Sequence, residues 1–276
     1  MTVPNIKELE KKSKWLRRAC FEMLLSANQG HPGSILSQIE ILIALYYGGV
    51  IKYFKNEPYH PDKDKIIISK GHAAMSLYPI FADIGYFDKE ELKKFGKSNS
   101  MLKLFGNISI PGIDCTSGSL GHGLGVGCGF AFSAKKRNTK NKTFVILSEG
   151  EMYEGSIWES AFFASHHYLD NLIVIIDRNR NIILGDTEEC LALEPIRDKW
   201  ESFGFSVNEV DGHSIEELID SFNSFNNSDG KPKILIANTT KGKGISFMEN
   251  DPFSHYWKPL SDELIEKARA ELTINE

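Results

Sequence analysis

Cysteine is scarce in this chain of 276 residues, and the four present, Cys20, Cys115, Cys128 and Cys190, are scattered without a C-x-x-C pair. That spacing argues against a zinc site and against a disulfide framework, and it suits reduced thiols in a cytoplasmic protein. A large charge excess is missing too. A formal net charge of -5, with a pI near 5.9, offers no electrostatic case for binding nucleic acid. Long hydrophobic runs are absent: the most apolar stretch, SILSQIEILIALYYGGV, carries Gln38 and Glu40. A membrane span needs about 20 mainly apolar residues, so this stretch reads as a buried helix and no membrane partner is expected. The start, Met1 to Arg18, is charged and lacks the apolar core of a signal peptide. No internal repeat or low-complexity tract is visible.

What is present is ordinary globular composition, with 41% hydrophobic and 25% charged residues. Short apolar runs alternate with helical patterns. KIIIS, TFVIL, NLIVIID, FSVNEV and KILIAN read as strands; residues 6–27, 34–48, 151–168, 194–203 and 214–225 read as helices, with Ser34 a candidate N-cap. GHAAMSLYPIFADIGY continues the first strand as a helix, and PGIDCTSGSLGHGLGVGCGFAFSAKK is a loop followed by a glycine-rich helix. This alternation predicts an α/β fold: a doubly wound, mainly parallel sheet flanked by helices, forming one domain over residues 1–276. Ligands of such sheets gather beyond the carboxyl ends of the strands.

At one of those ends stands SEGEMYEG, and at the next IIDRNRNI. Glu149 and Asn179 each lie just past a strand, with one helix between them, so neighbouring parallel strands would bring both side chains to one rim. A carboxylate, an amide oxygen and a backbone carbonyl suit Mg²⁺ or Ca²⁺, with phosphate oxygens and water completing the shell. Gly150 lets a phosphate approach the backbone, and the helix start adds N–H groups. The plainer alternative is that Glu149 caps the next helix. Other phosphate motifs fail: GHGLGVGCG contains no G-x-G-x-x-G and follows a loop, while TTKGKGIS lacks the upstream glycine of a P-loop. The glycines at 121, 125 and 129 are expected to share a helix face and permit close packing.

In order, NQGHPGS, ISKGHA, PGIDCTSGSLGHG, EGEMYEGSIWE, IIDRNRNI, DGH, TTKGKGISFMEN and SHYWKP resemble the N-terminal, thiamine diphosphate-binding portion of transketolases, over about residues 8–268. The likeness is greatest to split forms, in which that portion is a separate chain. The resemblance implies thiamine diphosphate with a divalent metal, held by Glu149, Asn179 and the carbonyl of Asn181. It assigns Gly118, Leu120, Gly150, Glu151, Asn179 and Ile183 to cofactor binding. It places His31, His72 and His255 along a channel over the reactive carbon, where imidazoles suit proton traffic. Glu154 falls near the interface between subunits. The implied activity is transfer of a two-carbon ketol unit between a ketose and an aldose, on sugar phosphates or on a specialised sugar. His60, His166, His167 and His213 are read as packed or solvated.

Three departures from the family pattern stand out. Ser148-Glu149-Gly150 replaces Gly-Asp-Gly, and the added methylene moves the carboxylate by about 1.5 Å, the length of a C–C bond. FGNIS stands where Gly-His-Pro is frequent, so one channel histidine is missing, with Asn107 its candidate replacement. The pyrimidine-binding and C-terminal domains are expected on a partner chain, in a heterotetramer, with no turnover by this chain alone. Two alternatives remain at this point: an alpha-type subunit of a 2-oxo acid dehydrogenase, and a catalytically silent scaffold.

Overall fold

The computed structural model describes residues 5–226 and 229–273, with Pro252 and Phe253 described by their backbone. Helix α1 (Ile6–Ala27) buries Leu9, Leu16, Cys20 and Leu24 at helical spacing and ends at Asn28, whose left-handed φ of 50° closes the last turn. The predicted helix over 34–48 is two helices, α2 (Pro32–Ser37) and α3 (Ile39–Tyr46). Proline starts the first, its fixed φ suiting an initial helical position, and Ser34 caps nothing. The break falls at Gln38, fully buried, whose amide donates to the Ala73 carbonyl at 3.1 Å and to Ser76 Oγ at 2.7 Å. A buried amide must find partners, and these lie in the segment after the first strand.

That strand is β1 (Lys65–Ile68), followed by a 3₁₀ turn (Gly71–Ser76) before α4 (Leu77–Asp83), where one continuous helix was expected. Next come α5 (Gly123–Lys136), β2 (Thr143–Ser148), a 3₁₀ turn (Glu149–Tyr153) and α6 (Gly155–His166). After β3 (Leu172–Arg178) a short hairpin, β4 (Asn181–Ile182) and β5 (Gly185–Asp186), leads to α7 (Thr187–Leu191) and α8 (Ile196–Ser202). The chain continues as β6 (Ser206–Asp211), α9 (Ile215–Ser224), β7 (Lys233–Asn238) and α10 (Asp262–Glu271).

The sheet order is β1-β2-β3-β7-β6, and every pairing within it is parallel. Because strand side chains alternate, each central strand feeds two cores. Phe144, Ile146, Ile173, Ile175 and Leu235 join the core beneath α1, α3, α4 and α9. Val145, Leu147, Val174, Ile176 and Ile234 join the opposite core, with Leu124, Ile157 and Trp200 of α5, α6 and α8. This is the doubly wound α/β architecture that the alternating pattern predicts.

The glycines at 121, 125 and 129 do not act as one packing face. Gly121 precedes α5 with a φ of +81°, and a side chain there would strike Glu154. Gly129 faces open space, while Gly123 and Gly127 make the close approaches, against Ser69 and Val145. Among the described residues no helix is long and apolar enough to cross a membrane.

Candidate active site

Strand register builds the site. Ser148 on β2 pairs with Asp177 on β3, so Glu149 and Arg178 stand immediately beyond paired positions, with Asn179 next. One backbone N–H, that of Asn181, donates to Glu149 Oε1 at 2.8 Å and to Asn179 Oδ1 at 3.1 Å. Two oxygens from adjacent strand ends therefore converge on one point. The Asn181 carbonyl points back to the same cleft and accepts a bond from Lys241 Nζ at 3.4 Å. Glu149 Oε2 accepts the Arg180 N–H at 3.0 Å and Arg178 Nη1 at 2.6 Å. Three bonds leave one of the carboxylate's roughly four acceptor positions open, on Oε1. Burial pushes the Glu149 carboxyl up, against the pull of the Arg178 guanidinium and the Arg180 N–H. The turn is capped by Ser148 with Glu151, so the plain reading of Glu149 as a helix cap does not hold.

These groups open into a cleft of about 500 Å³, within the usual range for small-ligand sites. His31, His72, His255, Glu154, Gly118, Leu120, Gly150, Asn179, Ile183, Glu149 and Asn181 all line it. Glu151, expected among the cofactor-binding residues, does not. Its carboxylate is fully buried and accepts bonds from Ser69 Oγ, the Gly121 N–H at 3.0 Å, and the Ser148 N–H and hydroxyl at 2.8 and 3.1 Å. It braces the walls instead of facing the cleft.

The three histidines come from separate segments and meet: ring centroids lie 4.9 Å (His31–His72), 5.4 Å (His31–His255) and 5.6 Å (His72–His255) apart. Burial, with the neighbouring histidines and Lys70, pushes His72 down to about 2. Burial, with Lys241 and His31, pushes His255 down to about 4. Burial also lowers His31. The trio is therefore neutral near pH 7. The Nδ1 atoms of His31 and His255 are buried without a partner among the described residues, an arrangement that a bound ligand or water would satisfy. Elsewhere His60 stacks on Phe54, and His213 bridges Glu40 and the Thr240 N–H, the packed roles expected of them.

Several cleft residues escaped sequence reasoning. Lys70 and Lys241, both buried, follow β1 and β7, so the strand-end rule that found Glu149 could have found them. Lys70 pairs with Asp177, which also accepts Ser37 Oγ at 2.5 Å and the Thr239 hydroxyl. Ser34 Oγ lies 3.1 Å from His72 Nε2. At the cleft wall beside His31 stands Phe105, with ring centroids 6.2 Å apart. Asn107 does not line the cleft; it borders a neighbouring pocket that Phe105 also lines, and its side chain accepts the Ser109 N–H at 2.9 Å.

Comparison with known proteins gives this arrangement its context. Residues 10–276 match the family described as transketolase, thiamine diphosphate binding domain. The chain is 38% identical over 265 residues to one of the subunits of apulose-4-phosphate transketolase from Phocaeicola vulgatus, covering 96% of this chain and 94% of that one. It is 37% identical over 266 residues to a 6-deoxy-6-sulfo-D-fructose transketolase subunit of a Clostridium species, covering 96% of each. A crystal structure of Campylobacter jejuni transketolase superposes with a TM-score of 0.91 at 32% identity, over 97% of this chain and 43% of that one. Thus the chain spans less than half of the solved transketolase, but nearly the full length of the subunit-type relatives. The strand-end oxygens, the histidine trio and these matches lead to one assignment: the chain belongs to the transketolase family, as its thiamine diphosphate-binding subunit.

Proposed function

We propose that this chain is the cofactor-binding half of a two-chain transketolase that moves a two-carbon ketol unit between sugars. The observation that carries the reading is the convergence of Glu149 and Asn179 on one backbone N–H, beside Gly150 and below three neutral imidazoles. Glu149, Asn179 and the Asn181 carbonyl offer hard oxygens suited to Mg²⁺ or Ca²⁺, the larger ion tolerating the longer acid better. In this proposal the cation has a single protein acid, and diphosphate oxygens complete its shell. Lys241 adds a buried positive charge for the same diphosphate. Gly118 and Leu120 also line the cleft and would meet the aminopyrimidine end.

Bound there, thiamine diphosphate supplies the carbon nucleophile that opens and reforms the bond beside a ketose carbonyl. The chain's own part is to orient the sugar and handle protons. Neutral His31, His72 and His255 can each donate or accept at hydroxyls above the cleft, and Ser34 fixes the ring of His72. The family resemblance and the names of the subunit-type relatives support a ketose donor over a 2-oxo acid.

A partner completes the proposal. The rim carries exposed apolar side chains: Leu120 is 39% exposed, Ile183 52%, Leu184 80% and Tyr256 54%. Such a patch beside a cleft is the mark of a docking surface. Glu154 is exposed at the same rim, where a partner's acid could reach it. We take the partner to be a chain with the pyrimidine-binding domain, the assembly to be a heterotetramer in the cytoplasm, and residues 1–276 to form one domain. The substrates of the relatives, apulose-4-phosphate and a sulfonated fructose, point to a specialised ketose for this chain as well.

The test is reconstitution. The chain and its candidate partner, assayed together with thiamine diphosphate and Mg²⁺, should transfer ketol units from ketose phosphates and leave 2-oxo acids untouched; each chain alone should be inactive. Turnover by this chain alone, or decarboxylation of 2-oxo acids by the pair, overturns the reading.

A further inference from the structure

Arg178 is almost completely buried, yet its guanidinium meets three carboxylates. It reaches Glu149 at 2.6 Å, Glu188 at 2.7 Å and Glu194 at 3.1 Å, and it also donates to Thr187 Oγ1 at 2.8 Å. The pair with Glu149 is 1% exposed on either side, whereas Glu188 and Glu194 are 25% and 46% exposed. Strand parity puts Arg178 there. It follows Leu172, Val174 and Ile176 on the face of β3 that looks toward α5, α6 and α8, and Glu149 turns to the same side.

An acid one methylene longer than the family's aspartate must be drawn back if one oxygen is to stay beside Asn179. The guanidinium is suited to that task, because its planar fork grips several carboxylates at fixed angles and keeps its charge at every working pH. Here one Nη holds Glu149 from behind at Oε2, leaving Oε1 next to Asn179 Oδ1. The other Nη is pinned by Glu188 and Glu194 of the segment from α7 to α8.

We propose that Arg178 is a positioning residue that adapts Glu149 to the cation-binding role, so that the long acid and the arginine work as a matched pair. The inference rests on the cation reading above and extends it to a residue that does not touch the cation. It also ties the segment holding Glu188 and Glu194 to the cation's acid. A merely structural arginine would stabilise the fold without setting cation affinity.

A double-mutant cycle separates the two, read by equilibrium binding of thiamine diphosphate to the reconstituted two-chain complex across Mg²⁺ and Ca²⁺ concentrations. Arg178→Met and Glu149→Asp should each raise the cation concentration at half-saturation by about tenfold or more, the size of effect expected when an oriented charge pair is broken. Combined, they should lose clearly less than the product of the single effects, because a short acid needs no arginine behind it. Arg178→Lys should behave as Arg178→Met, since an ammonium is not a fork. Glu188→Gln, altered on the exposed side of the guanidinium, guards against failure to fold and should shift half-saturation by about twofold to fivefold. Additive single effects, or unchanged half-saturation in Arg178→Met and Glu188→Gln alike, overturn this inference and leave the cation reading standing. Cofactor binding by the parent complex that ignores both cations overturns the cation reading and this inference with it.

Discussion

Asp177 and Arg178 are consecutive on β3, yet they anchor two buried charge networks on opposite faces of the sheet. Asp177 faces α2, where it holds the buried Lys70 and Ser37 and the half-buried Thr239, all within the protein. Arg178 faces the other way and grades outward, from fully buried Glu149 to half-exposed Glu194. The first network is closed; the second is open at its outer edge and keeps one acceptor position free at its inner one. A closed network stiffens the floor beneath the histidines, while an open one leaves a carboxylate available to a ligand. One residue of register, and hence the alternation of a strand, separates the two purposes.

The comparison breaks most severely at Asp177. In Asp177→Ala, Lys70 loses the carboxylate it pairs with and keeps the Ser34 carbonyl, its other hydrogen-bond acceptor among the described residues. Removing one partner of a buried pair costs about 3–5 kcal/mol. Urea unfolding should show a loss of that size, and a loss under about 1 kcal/mol would mean that Lys70 is not held as a buried charge. Glu149→Ala should cost less stability, about 1–2 kcal/mol, because Arg178 retains Glu188 and Glu194. It should nevertheless abolish cation-dependent cofactor binding, which calorimetry would record. Equal unfolding losses in the two variants would erase the distinction between closed and open networks.

A pH measurement sharpens the floor side of the comparison. An unfolded imidazole takes up its proton near pH 6.5, whereas His255 and His72 in the folded chain wait until about 4 and about 2. The unfolded chain therefore binds more protons in that window, and the stability of the ligand-free chain should fall as pH drops below about 6.5. Proton-resolved NMR should find both rings neutral at pH 6. A titration midpoint above 6 for either ring would contradict the burial described. The smallest change expected is in Phe105→His, which places a hydrogen-bonding ring at the wall beside His31. Ranking ketose donors by kcat/KM should reveal shifts of less than about tenfold, and an unchanged ranking would remove Phe105 as a selectivity residue.

Much of this was legible in the sequence because strands are periodic. Apolar runs located the five sheet strands, and the strand-end rule brought Glu149 and Asn179 to one rim. Arg178 is legible the same way, by counting parity along LIVIIDR. The break at Gln38 was not legible, since its cause is a pair of acceptors some 35 residues on. The place of Phe105 at the cleft wall was not legible, because among the described residues no helix or strand lies between the 3₁₀ turn at Lys89–Lys94 and α5 to fix register. Glu151 sits among motif residues in sequence, and only the fold reveals that its carboxylate turns inward.

That inward turn has a mechanical consequence. Glu151 joins Ser69 after β1, Ser148 at the end of β2 and Gly121 before α5 through a single carboxylate. Three segments whose neighbours Lys70, Leu120 and Ser148 line the cleft thus share one bolt, and their spacing is set before any ligand arrives. A molecule entering meets a gauge already cut to width, and little of its affinity is lost to ordering the walls.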